Sequence, residues 1–191
     1  DNPPTGSQSF TLTNPEYSKS LGLLIEQQST NLLTYSSDFS NAAWNKNAST
    51  ITVAADIAPD GTLTAEGFVE DATTAAHRVF SGYATVSAGS VTASIYAKPL
   101  PTGAKRYISV VIDGTGSAGV VFDVSTGAIG TTTTGTPTAT SITSVGNGWF
   151  RCSVTVTATA GSIRFNSYLS NSFSNTGTGG YTGDGYSGIL I

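Results

Sequence analysis

Charge is scarce in this chain: Asp, Glu, Lys and Arg make up 10% of 191 residues, against about 25% in an ordinary globular protein. Eight cations face twelve acids, for a net charge of -4. This balance argues against nucleic acid as a partner, because its phosphates demand a basic patch. One cysteine, Cys152, excludes an intramolecular disulfide framework, and one histidine, His77, leaves no Cys/His set for structural zinc. Long apolar runs are missing too. No stretch of about 18 apolar residues marks a membrane span, and no basic-then-apolar start resembles a signal peptide. Methionine is absent and the chain starts at Asp1, which reads as a processed or excised piece.

What is present is short-period alternation. Hydrophobic residues reach 38%, too many for a disordered chain. Val91, Ala93, Ile95 and Ala97 alternate with Thr92, Ser94, Tyr96 and Lys98, the pattern of a half-buried strand. The same alternation runs through Ile108, Val110 and Ile112, through Cys152, Val154 and Val156, and through Ile163 and Phe165. Shorter strands are expected at Leu21 to Gln27, Thr50 to Ala54, Arg78 to Tyr83, Gly119 to Val124 and Ser187 to Ile191. Many short strands with turn signals between them predict an all-β fold of two antiparallel sheets, with Ile95, Ile108, Val110, Val154, Val156, Ile163 and Phe165 in its core. Helix signals are thin: one turn from Asp38 to Trp44, and a stretch from Thr62 to Ala76 broken by Gly67 and threonines. Thr131 to Ser144 and Ser170 to Gly185, rich in Thr, Ser and Gly, read as loops or edge strands. Residues 1–20, with three prolines, read as an extended arm before a domain spanning 21–191. The apolar run at Ile191 suggests a last strand that continues.

Chemistry-bearing motifs are few. Gly114 to Gly119 matches G-x-G-x-x-G, but a strand-like run follows where a dinucleotide turn needs a helix, so a hairpin is expected. No G-x-S-x-G elbow accompanies His77, and Cys152 alternates onto the core face, so no catalytic set is assigned. Asp113, Asp123 and Asp184 lie beside glycines or turns, where carboxylates can gather round a hard cation. They are weak candidates for structural calcium, with solvated turn aspartates the commoner alternative.

The aromatic residues say more, because a sugar ring stacks an apolar face on Tyr or Trp while polar neighbours bond its hydroxyls. Tyr96, Tyr107 and Tyr168 fall on the polar side of their strands, together with Lys98, Arg151, Arg164 and Asn166. If these strands are neighbours, one sheet carries an aromatic and polar strip, with Tyr96 and Tyr107 as its first candidates. The alternative is that the tyrosines cover a sheet edge or pack under a loop. Trp149 enters a strand from the Gly146-Asn147-Gly148 turn, either as a rim platform or as a core anchor.

Gly22-Leu23-Leu24-Ile25-Glu26, then Thr30-Asn31-Leu32-Leu33 and Asp38-Phe39-Ser40-Asn41-Ala42-Ala43-Trp44, resemble a module of tailed-phage structural and prophage-encoded proteins. Pro59-Asp60-Gly61-Thr62, Ser94-Ile95-Tyr96-Ala97-Lys98 and Val145-Gly146-Asn147-Gly148-Trp149-Phe150-Arg151 follow in the same order. The pattern is also similar to jelly-roll carbohydrate-binding modules of polysaccharide-degrading enzymes. Both resemblances imply a jelly-roll β-sandwich displayed on a virion surface or otherwise outside a cell, without a catalytic motif. They imply as partners a glycan on a bacterial surface, or other virion subunits, possible self-association included, and neither nucleic acid nor membrane insertion. A purely structural virion domain, and a binding module of a secreted enzyme, remain as alternatives. The carbohydrate-binding modules commonly hold calcium, at positions that vary.

Overall fold

The computed structural model describes residues 30–191 other than 104 and 106, and their compact unit begins at Leu32. The expected arm at 1–20 and strand at Leu21 to Gln27 lie outside the described residues. No helix occurs among those described. The strands are β1 (Asn45–Asn47), β2 (Ser49–Asp56), β3 (Ala65–Glu70), β4 (Thr74–Ala75), β5 (Arg78–Phe80), β6 (Ala84–Val86), β7 (Gly89–Pro99), β8 (Tyr107–Gly114), β9 (Ala118–Asp123), β10 (Ala128–Gly135), β11 (Ala139–Gly146), β12 (Trp149–Ala158), β13 (Gly161–Ser170), β14 (Tyr181–Thr182) and β15 (Gly188–Leu190).

They form a β-sandwich of jelly-roll type in which every pairing is antiparallel. One sheet of seven strands has the order β1-β5-β13-β8-β9-β10, with β6 also on β13. The other, of six, has the order β11-β12-β7-β15-β3-β2, and β14 pairs with β4 apart from both. Between consecutive strands the chain passes between these two sheets from β1 to β2, β6 to β7, β7 to β8, β10 to β11 and β12 to β13. Strands remote in sequence thereby become neighbours, as β13 between β5 and β8 or β15 between β7 and β3.

Alternation decides which side chains fill the space between the sheets. Ile95, Ala97, Cys152, Val154 and Val156 from the six-stranded sheet meet Ile108, Val110, Ile112, Val120, Phe122, Ile163 and Phe165 from the seven-stranded one in a single cluster. All seven expected core positions are buried. At about 1.5–3 kcal/mol for each fully buried aliphatic or Phe side chain, this cluster is what offsets the chain entropy in a protein without disulfides.

Both thin helix signals give way to other structure. Thr62 to Ala76 contains β3, whose Phe68 is fully buried in the core, while Gly67 is buried on the opposite face of the strand. Asp38 to Trp44 is a run of turns, pinned because the buried Glu66 carboxylate accepts the Phe39 N–H (2.6 Å) and the Ser40 N–H (3.3 Å). Phe39 and Trp44 then pack at 4.6 Å, and Trp44 meets Phe165 edge-on at 5.8 Å. Tertiary burial overrides weak helix propensity in both places. The glycine-rich motif is the β8–β9 hairpin; a Cβ on Gly114, at φ +114°, would stand 2.1 Å from the Ser162 carbonyl oxygen. The Thr131 to Ser144 stretch supplies most of β10 and β11, each at a sheet edge.

Candidate functional site

The expected single strip is two, on opposite outer faces of the sandwich. Tyr96, Lys98, Trp149 and Arg151 lie on β7 and β12 of the six-stranded sheet; Tyr107, Arg164, Asn166 and Tyr168 lie on β8 and β13 of the other. The β7–β8 crossover separates them, and no local pattern in the sequence reports which sheet a strand joins.

On the six-stranded sheet Tyr96 stands 44% exposed, directly opposite the exposed Arg151. Next to them Arg151 Nη2 donates to Ser94 Oγ at 3.4 Å. Hydroxyl pairs continue the surface: Ser141 with Ser153 and Thr92 with Thr155, each at 2.9 Å. This face carries one exposed aromatic ring, one guanidinium and paired hydroxyls.

Trp149 and Lys98 bound that face without being free on it. Trp149 is 1% exposed, its Nε1 donates to the Ile57 carbonyl oxygen at 3.1 Å, and it packs with Ala65 and Leu190 beneath the segment that includes Ala58. Of the two alternatives for Trp149, the structure therefore shows the buried anchor, placed on the outer side of the sheet, and not the rim platform. Lys98 pairs with Asp56 at 2.9 Å and lies 5.9 Å from the Trp149 ring centre.

The seven-stranded sheet is more closed. Tyr107 is half-buried and stacks on Phe173 at 5.6 Å, and Ser109 Oγ donates to the Thr176 carbonyl oxygen. The segment after β13 thus lies against the Tyr107 end of the face. Tyr168 is 6% exposed, and its hydroxyl accepts Arg78 Nη1 at 3.1 Å. Neither tyrosine is an open platform, so the under-a-loop alternative holds for Tyr107. Arg164 gives Nε (3.0 Å) and Nη2 (2.8 Å) to Asp113 Oδ2. Asn166 is fully buried and neither end of its amide has a partner. Three residues missed from sequence complete this region: Arg78 lies 4.3 Å from the Phe80 ring centre, and Arg164 lies 5.3 Å from Phe80 and 5.0 Å from Tyr83. The alternation of Arg78 and Phe80 around the core residue Val79 was the available signal.

The three aspartates are apart and each is engaged. Asp113 holds Arg164 at one end of β8, and Asp123 caps its own turn at the other, accepting the Ser125 N–H at 2.9 Å and hydroxyl at 2.6 Å. Asp184 accepts the Tyr186 and Ser187 N–H groups and the Ser187 hydroxyl. Among the described residues no three His, Cys, Asp or Glu side chains gather as a metal would require. Cys152 is buried, and desolvation pushes its thiol up to about 12. His77 is fully buried, with Nδ1 2.6 Å from the Ala48 carbonyl oxygen and Nε2 3.1 Å from that of Tyr181.

No protein-family model and no curated protein matches the chain.

Proposed function

We propose that this domain is a non-catalytic carbohydrate-binding module that recognises a bacterial surface glycan from a phage appendage or capsid surface, outside the cell. One observation carries the reading: Tyr96 stands exposed opposite Arg151 on a face where Ser and Thr hydroxyls pair across the strands. A pyranose ring laid on Tyr96 stacks its C–H face on the phenol, while Arg151, Ser94 and Thr143 offer hydrogen bonds to its hydroxyls. Because Arg151 and Thr143 are opposite in register, the polar groups extend beyond the ring toward β11.

Such binding rests on ring contact more than on charge, so it persists at high salt. The test is a glycan array and polysaccharide retention on the isolated chain, with and without calcium, at low and high salt. Tyr96→Ala is expected to lose retention, and Tyr107→Ala, whose ring is already stacked on Phe173, to keep it. Retention unchanged in Tyr96→Ala removes this face from consideration. Absence of binding to any glycan, together with a stable oligomer in solution, favours a structural virion domain instead.

A further inference from the structure

The outer face of the seven-stranded sheet holds polar groups that the fold does not use. Asn166 is 0% exposed, yet its Oδ1 and Nδ2 have no hydrogen-bond partner, and the Nε of neighbouring Arg78 has none either. Buried polar atoms are nearly always satisfied, so two adjacent orphans on one face ask for an explanation. Register puts them together: Asn166 lies opposite Phe80, and Tyr168 opposite Arg78. Since Phe165 and Val79 point into the core, Asn166, Arg78 and Phe80 occupy the outward positions.

The charges are unequal as well. Asp113 neutralises Arg164, whereas among the described residues no carboxylate pairs with Arg78. Its guanidinium is held over Phe80 at 4.3 Å and fixed through Nη1 to the Tyr168 hydroxyl. That leaves a preoriented cation with an unused N–H beside an unused amide, in a protein whose net charge is negative. Tyr83, 61% exposed, extends the face past Arg164 and also lines a shallow cleft of about 200 Å³ with Leu32, Trp44 and Gly82.

We propose that Arg78 and Asn166 form a second binding site, for the carboxylate of an acidic sugar such as a uronic acid. A planar carboxylate matches the guanidinium fork, and the Asn166 amide donates a further hydrogen bond. The Asn166 amide and the Arg78 Nε are both closed to solvent in the free protein, so binding includes movement of the groups that cover them. This site is independent of Tyr96, and the two differ in their response to salt. A cation-dependent site weakens as salt rises.

The experiment is an NMR titration of the isotope-labelled chain with sodium glucuronate, and with glucose and inorganic phosphate in parallel. Glucuronate is expected to shift the Arg78 Nε–H and Asn166 Nδ2–H resonances, and glucose to leave them in place. Arg78→Gln is expected to lose about tenfold or more in affinity, while Tyr96→Ala keeps the shifts. No shift with glucuronate in the wild-type chain overturns the proposal without reliance on any variant. Equal shifts with phosphate overturn the sugar assignment, and undiminished affinity in a folded Arg78→Gln overturns the role of Arg78. Loss of Tyr96-dependent retention on neutral glycans leaves these results untouched, so failure of one site is distinguishable from failure of the other.

Discussion

The Tyr181 hydroxyl donates to the buried Glu70 carboxylate, joining the segment after β13 to the end of β3. Glu70 also accepts the Asp184 N–H at 3.0 Å and pairs with Lys105 at 3.3 Å, and the Lys105 ammonium lies 4.3 Å from the Tyr181 ring centre. Burial, then the adjacent carboxylate, raises the phenol well above its ordinary value, so it remains a donor throughout the accessible pH range. Tyr181→Phe is expected to destabilise the fold by about 1–3 kcal/mol, because the buried carboxylate loses a partner. Denaturant unfolding measures it, and an unchanged midpoint would show that the bond contributes nothing.

Acid should loosen the same region. Burial opposes ionisation of Asp184, but the Ser187 hydroxyl, the Tyr186 and Ser187 N–H groups and nearby Lys105 together hold it at about 2, below the ordinary 3.8. A carboxylate whose value is depressed on folding contributes stability that is complete above 3.8 and lost as pH falls toward 2. Asp60 and Asp71, lowered chiefly by the hydroxyls of Thr62 and Thr73, act in the same direction. Glu66 acts oppositely: burial raises it, so its protonation relieves a penalty as pH falls from above 4.5. Thermal melts between pH 5 and 2 should fall in Tm, and Asp184→Asn should flatten that fall.

Cys152 should be inert in the folded chain. Its side chain has no solvent exposure and its thiol is pushed up to about 12. A thiol reagent at neutral pH is expected to label it only after denaturation, and rapid native labelling would contradict the packing. Cys152→Ser is expected to cost about 1–3 kcal/mol by placing a hydroxyl in the apolar core.

Gly114→Ala tests the hairpin. The backbone is at φ +114° and the new methyl would meet the Ser162 carbonyl oxygen at 2.1 Å, so the backbone there must move apart at the end of the β8–β13 pairing. A loss of about 1–3 kcal/mol is expected from overpacking. By contrast Gly61→Ala, at φ +87° with open space around it, should show backbone strain alone and a smaller loss.

Alternation along the chain made the long strands and their inward residues legible, though not β3, whose residues read as a broken helix signal. Alternation around Ile95, Ile108, Val154 and Phe165 is local, because successive side chains of a strand point to opposite faces, and every one of these residues is buried. Turn chemistry was legible for the same reason at Pro59-Asp60-Gly61, where Gly61 has positive φ and its N–H reaches the Ala58 carbonyl oxygen at 3.0 Å. Which outward residues share a face depends on strand order in the folded sandwich. Tyr96 and Tyr107 have equivalent patterns, yet the crossover between β7 and β8 sends them to opposite sides of the sandwich. The folded sandwich also sets which outward residues stay open: Phe173 lies against Tyr107, the Ile57 carbonyl accepts from Trp149, and Arg78 meets Tyr168 across a sequence separation of 90. Those contacts depend on long-range strand order and loop return, and alternation along a strand carries no record of either.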